Sequence, residues 1–150
     1  MTFKLSTRSQ AKLEGLDERL IAVVNSAIFK SKIDFGVICG MRTTKEQEAL
    51  VAKGASQTMK SKHLVGRAVD LMAYVDGKGC WELNVYDDLC DAMKTAAQEL
   101  DIAVKWGAAW SEGDIRTYPG TSEDAMMKYI DLRRSQSRRP FIDGPHFELM

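Results

Sequence analysis

The apolar residues of this chain recur at two different periods in an irregular order, and that order restricts the fold more than any composition figure. Leu13, Leu16, Leu20, Val23, Val24, Ala27 and Ile28 step by three and four residues, predicting an amphipathic helix within about 7–30. Thr7 and Gln10 stand at capping-box spacing for its start, and Gly15 weakens its first turns. Tyr86, Leu89, Cys90, Met93, Ala96, Ala97 and Leu100 predict a second helix over about 85–100. Met126, Tyr129 and Ile130 share one face of a third, which ends in the basic run Arg133, Arg134, Arg138 and Arg139; these arginines could bind anionic groups, but the favoured reading is that they complement a helix C-terminus and stay solvated. Thr43 and Glu46 have capping-box spacing for a short helix ending at Gly54, before a Ser/Lys-rich loop over about 55–62. Short apolar or β-branched runs at 35–39, 67–73, 102–107 and 146–149 read as strands, with a turn at Asp76-Gly77. These elements do not alternate as βαβ units, so the expected fold is α+β, a single domain over 1–150 with a mostly antiparallel central sheet flanked by helices.

A chain of 150 residues buries roughly two-thirds of the surface it exposes when unfolded, enough for a core without disulfide or metal staples. A metal bound here is therefore expected to be catalytic. Lys plus Arg and Asp plus Glu number 21 each, so no global field holds a polyanion, and nucleic acid is not an expected partner. The odd set Cys39, Cys80 and Cys90 contains no CxxC and reads as small core hydrophobes from a reducing compartment. The sequence has no signal-peptide run and no stretch of about 18 apolar residues, so neither export nor membrane insertion is expected.

Only two histidines are present, and each lies in a polar, glycine-punctuated segment near a carboxylate. His63 and Asp70 are seven apart, which places them on opposite faces of a continuous strand. A turn at Gly66 resolves this: Asp70 then projects from a strand beginning near Arg67, and His63 folds back to the same face. With His146 they form a His2Asp set, which suits zinc because it offers two borderline nitrogens and one hard oxygen and leaves a fourth position open. Pro145 holds Gly144 extended or in a turn, so Asp143 can stand beside such a metal as a proton acceptor. By spacing alone, the two histidines read equally as ordinary hydrogen-bonding residues. There is no HExxH, GxSxG or P-loop, and the His-x-Glu at 146–148 has no accompanying PCxxC.

Four blocks, Gly40-Met41-Arg42-Thr43, the run Ser61-Lys62-His63-Leu64-Val65-Gly66-Arg67-Ala68-Val69-Asp70-Leu71, Trp106-Gly107-Ala108-Ala109-Trp110, and Asp143-Gly144-Pro145-His146-Phe147-Glu148-Leu149, resemble the zinc peptidases that cleave D-amino-acid-containing peptides of the bacterial wall. The Asp-Gly-x-His ending is most similar to phage endolysins of the L-alanyl-D-glutamate peptidase type. D-Ala-D-Ala carboxypeptidases of this group carry a Glu as base where this chain has Asp143.

The resemblance implies a hedgehog/D-Ala-D-Ala peptidase-like fold, one Zn2+ held by His63, Asp70 and His146, Asp143 as general base and Arg42 as oxyanion stabiliser. It further implies that Ser61 and Trp106 contact substrate. Glu148 alternates with Phe147 and Leu149, so it lies on the His146 face of the last strand and is expected to support the site. The implied substrate is peptidoglycan and the implied role host lysis, by a monomer made in the host cytoplasm that reaches the wall through a holin-type pore. A D-Ala-D-Ala carboxypeptidase or dipeptidase with the same zinc site, and a non-catalytic wall-binding module, are the alternatives.

Overall fold

In a computed structural model, residues 2–150 are described. The long N-terminal helix expected from periodicity is two helices, α1 (Thr7–Lys12) and α2 (Glu18–Lys30). Gly15 breaks them apart at φ +85°, and Asp17 caps α2 by accepting the Arg19 backbone N–H. The cap of α1 is Ser6, whose hydroxyl accepts from Ser9 N, and not Thr7. Leu13 and Leu16 keep their place in the apolar pattern because both are buried beside the break.

Strand β1 (Asp34–Cys39) leads to α3 (Thr44–Ala52), whose Thr43/Glu46 capping box is present in both directions. A short 3-10 turn at Lys62–Val65 precedes β2 (Ala68–Val75), which turns through Asp76-Gly77 into β3 (Lys78–Cys80), a strand too short for its pattern to show. Helix α4 (Leu83–Leu100), β4 (Val104–Trp106), α5 (Ser122–Ser135) and β5 (His146–Leu149) complete the chain.

The sheet is antiparallel throughout, ordered β1-β2-β5-β4, with β3 pairing the far end of β2. Alternation along the strands separates its two faces. Val69, Leu71, Ala73, Phe147 and Leu149 join the buried residues of α2 and α4 in one hydrophobic cluster. Asp70, His146 and Glu148 project from the opposite face. No helix among the described residues is long and apolar enough to cross a membrane.

One buried group works against this packing. Asp87 on α4 is 8% exposed, and its Oδ1 has no hydrogen-bond partner. Burial, reinforced by Glu123, Asp91 and Asp88, pushes its pKa up to about 6. A carboxyl raised on folding contributes stability below its unfolded pKa near 3.8 and loses it as pH rises through about 6. Asp87→Asn is therefore expected to stabilise the fold at pH 8 by about 1 kcal/mol, allowing for partial solvent screening, with no gain below pH 4. Thermal melts at the two pH values check this.

Candidate active site

The site is assembled by three backbone devices on the open face of the sheet. The 3-10 turn at 62–65 ends at Gly66, φ +72°, where Arg67 N donates to Lys62 O before the chain enters β2. A Cβ at Gly66 would sit 2.8 Å from the Gly15 carbonyl, so the left-handed turn and the close approach both require glycine. Asp17 N donates to Gly66 O at 2.8 Å, tying this loop to the break between α1 and α2. The result is the fold-back expected of His63, whose Nε2 lies 3.2 Å from Asp70 Oδ1.

The second device delivers His146. Asp143 N donates to Gly107 O, His146 N to Asp143 O, and Gly107 N to His146 O, which closes a tight turn against the end of β4. A Cβ at Gly107 would lie 2.4 Å from the Asp143 carbonyl oxygen. His146 pairs opposite Asp70 in the β2–β5 register, and its Nδ1 stands 3.1 Å from the same Asp70 Oδ1.

The third device is a bulge in β1. Val37 pairs Leu71 on the core face, yet Cys39 pairs Asp70 on the open face, so the register shift between them turns Cys39 toward the site. Cys39 is thus a neighbour of the cluster, its Sγ 3.8 Å from His63 Nδ1 and 3.3 Å from Arg42 Nη2, rather than the core residue that strict alternation predicts. Cys80 is half-buried; only Cys90 of the three is a buried core thiol.

Each imidazole is oriented by its outer nitrogen. His63 Nδ1 lies 2.8 Å from Gly40 O, and His146 Nε2 lies 2.8 Å from Glu148 Oε1. A carbonyl and a carboxylate only accept, so both outer nitrogens donate, and this fixes each ring with its inner nitrogen, His63 Nε2 or His146 Nδ1, turned toward Asp70. Glu148 therefore supports the site from the face expected of it, and Lys62 in turn holds Glu148 at 3.1 Å.

Arg42 places Nη2 3.4 Å from Asp70 Oδ2 and Nη1 2.7 Å from Gln47 Oε1. Gln47 is fully buried, and its amide donates to Ser56 Oγ and Thr58 O, fastening the loop after α3 to the arginine. Nothing in the sequence marks Gln47, a polar residue in a polar helix.

A cavity of about 640 Å³ opens over the cluster, lined by Arg42, Ser61, His63, Asp70, Asp143 and His146 among others. Asp143 and His146 offer ligand atoms within 4.8 Å of Asp70, and so do Cys39 and His63. The Asp143 carboxylate makes no hydrogen bond among the described residues, and burial, with Asp70 nearby, raises its pKa.

Ser61 lines the cavity while its hydroxyl accepts from His63 N, capping the 3-10 turn. Trp106 does not line it. Fully buried, it stacks on Phe147 and donates Nε1 to Gly144 O at 2.8 Å, holding the Asp143–His146 turn from beneath. The tryptophan that faces the cavity is Trp110, whose ring centroid is 5.3 Å from that of His146. The alternation of β4 decides this, because it sends Trp106 to the core side with Val104.

Two imidazoles and a carboxylate converging with outer nitrogens anchored make a possible metal site, and the unpaired carboxylate and guanidinium beside it give the arrangement of a hydrolytic site. The chain matches the phage L-alanyl-D-glutamate peptidase family over residues 1–150 and belongs to that family. It is 32% identical to the L-alanyl-D-glutamate peptidase of Escherichia phage T5 over the full length of both chains. It is 31% identical to that of Listeria phage A118 over 74% of this chain and 40% of the relative. The crystal structure of the Serratia marcescens L-Ala D-Glu endopeptidase ChiX is similar at a TM-score of 0.75 and 31% identity, covering 100% of this chain and 90% of that one.

Without metal, the cluster is held together by protons. Burial opposes the charge on His63, but its hydrogen bond to Asp70 and the adjacent Cys39 raise its pKa to about 10; the same opposition, overcome by Asp70 and Glu148, puts His146 at about 9. Burial raises Asp70 as well, yet the two imidazoles hold it well below the usual carboxylate range. Imidazoles raised on folding stabilise the fold fully below their unfolded pKa near 6.5 and lose that contribution as pH rises through about 9 to 10. Chelator-treated protein is thus expected to melt at progressively lower temperature between pH 6.5 and 10, a trend that His63→Gln should flatten.

Proposed function

We propose that this protein is a zinc-dependent peptidoglycan endopeptidase that cleaves the L-alanyl-D-glutamate bond of stem peptides and serves as a phage endolysin in host lysis. The observation that carries this reading is the convergence of His63 Nε2, His146 Nδ1 and Asp70 Oδ1, with each outer imidazole nitrogen anchored. Two nitrogens and one oxygen fit zinc, and ligand orientation by outer hydrogen bonds is what a catalytic ion requires.

His63, Asp70 and His146 would hold the ion. Bound there, zinc supplies Lewis acidity toward a peptide carbonyl and lowers the pKa of water. Asp143, raised by burial and free of hydrogen bonds, takes a proton from the attacking water and passes it to the leaving amine. Its desolvation helps, because a carboxylate raised toward neutrality is a better proton acceptor. Arg42, fixed by Gln47 and Asp70, presents permanent positive charge to the oxygen that becomes anionic in the tetrahedral state. Trp110 and Ser61 border the cavity as substrate contacts. The protein then works on the wall side of the membrane after synthesis in the host cytoplasm, as a monomer, with a holin-type pore as its route.

The decisive test is mass spectrometry of fragments released from purified peptidoglycan by zinc-loaded and chelated protein. New N-terminal D-glutamate, lost on chelation, is the expected product. Release of terminal D-alanine would assign a carboxypeptidase instead, and no cleavage would leave a wall-binding module.

Site variants separate the roles. Asp143→Asn is expected to retain one zinc by elemental analysis yet lose at least about a hundredfold in turnover, the lower range for removal of a general base. His63→Ala and His146→Ala are expected to lose both zinc and activity.

A further inference from the structure

We infer that Arg133, assisted by Lys60 in the lining of the same cavity, binds a carboxylate of the stem peptide and so selects substrates by their charge; this rests on the peptidase reading above. Four cations line the cavity, Arg42, Lys60, Lys62 and Arg133. Two are already neutralised, Arg42 by Asp70 at 3.4 Å and Lys62 by Glu148 at 3.1 Å. Lys60 and Arg133 have no acidic partner among the described residues, and they stand on different elements, the loop before the 3-10 turn and the last turn of α5.

Arg133 is built into its place. Its Nε and Nη2 donate to the Arg139 carbonyl at 3.2 and 3.0 Å, and its guanidinium lies over the Tyr129 ring at 5.9 Å, one helical turn back on the same face. The Tyr129 hydroxyl accepts from Phe141 N, which fastens this assembly to the segment leading into Asp143. Nη1 makes no hydrogen bond among the described residues and remains available. Arg134, Arg138 and Arg139 are exposed and do not line the cavity, so Arg133 alone leaves the solvated basic run expected at this helix end.

The chemistry of the substrate supplies the complement. In a stem peptide joined through the side-chain carboxyl of D-glutamate, the α-carboxylate of that residue is free, and the following diamino acid carries another in walls that contain it. The alanine on the other side of the scissile bond has its only carboxyl in that bond. Free carboxylates therefore lie on the leaving-group side alone, and a pinned guanidinium with open donors is the group suited to hold one.

The experiment compares the wild type with Arg133→Gln and Lys60→Gln on three synthetic stem peptides. One has both carboxylates free, one has the D-glutamate α-carboxylate amidated, and one has the diamino-acid carboxylate amidated. The wild type is expected to prefer the free peptide, with KM rising for whichever amide removes the bound carboxylate. Arg133→Gln should raise KM for the free peptide about tenfold with kcat changed less than threefold, and should erase the preference. Lys60→Gln, on a surface loop, should shift KM in the same direction by less. Equal KM for all three peptides with the wild type, or an Arg133→Gln loss that is the same on all three, would overturn the assignment while leaving the peptidase reading intact. If the wild type cleaves no peptide between alanine and glutamate, both fall together.

Discussion

The Asp70 carboxylate is the contact on which the rest of the site depends. It projects from β2, a strand paired on both sides, and it gathers His63, His146 and Arg42 from three separate parts of the chain. Three donors around one carboxylate offset the cost of removing it from water, and loss of Asp70 would leave all three with uncompensated charge. A metal at this position would replace protons among side chains that already converge. Little reorganisation is then left for binding.

Rigidity comes from the backbone more than from the side chains. Gly66 and Gly107 each sit where a Cβ would collide with a carbonyl oxygen, 2.8 and 2.4 Å away, and each lies within three residues of a histidine of the cluster or against the turn that presents one. Trp106 and Gln47 extend the same logic from below, since each buried polar group is spent holding a loop. The hydrophobic cluster of α2, α4 and the inner face of the sheet supplies the platform, and its apolar residues alternate with the functional ones along β2 and β5. Core and site are thus two faces of the same strands.

The parts legible in the sequence were those set by local rules. Helical period gave α4 and α5, the Thr43/Glu46 spacing gave the α3 capping box, and a glycine between His63 and Asp70 implied the fold-back. The misreadings arose where a tertiary or backbone irregularity overrides a period. Gly15 adopts a left-handed conformation and splits a helix that its leucines describe as continuous. The bulge between Val37 and Cys39 moves Cys39 across the sheet, which no alternation pattern can reveal. Trp106 and Trp110 flank the same glycine, but Trp106 ends β4 on its core side, whereas Trp110 lies beyond the strand, in a 3-10 turn at Trp110–Glu112 that borders the cavity. Gln47 was invisible because its importance lies in burial and in its partners, neither of which is encoded in neighbouring residues.

Charge is sorted within the cleft even though the chain as a whole is neutral. Arg42 and Lys62 are paired with Asp70 and Glu148 of the cluster, whereas Lys60 and Arg133, which line the same cavity, have no acidic partner among the described residues. A uniformly basic cleft would compete with a divalent ion for the same carboxylates and repel it; a uniformly acidic one would repel a substrate rich in carboxylates. Pairing some of the cations and leaving others free would let a metal and a carboxylate-bearing substrate draw on opposite fields within one cavity. The unpaired Asp143 stands beside the cluster, within 4.8 Å of ligand atoms of Asp70 and His146, where burial and the Asp70 carboxylate raise its pKa without a hydrogen bond to restrain it.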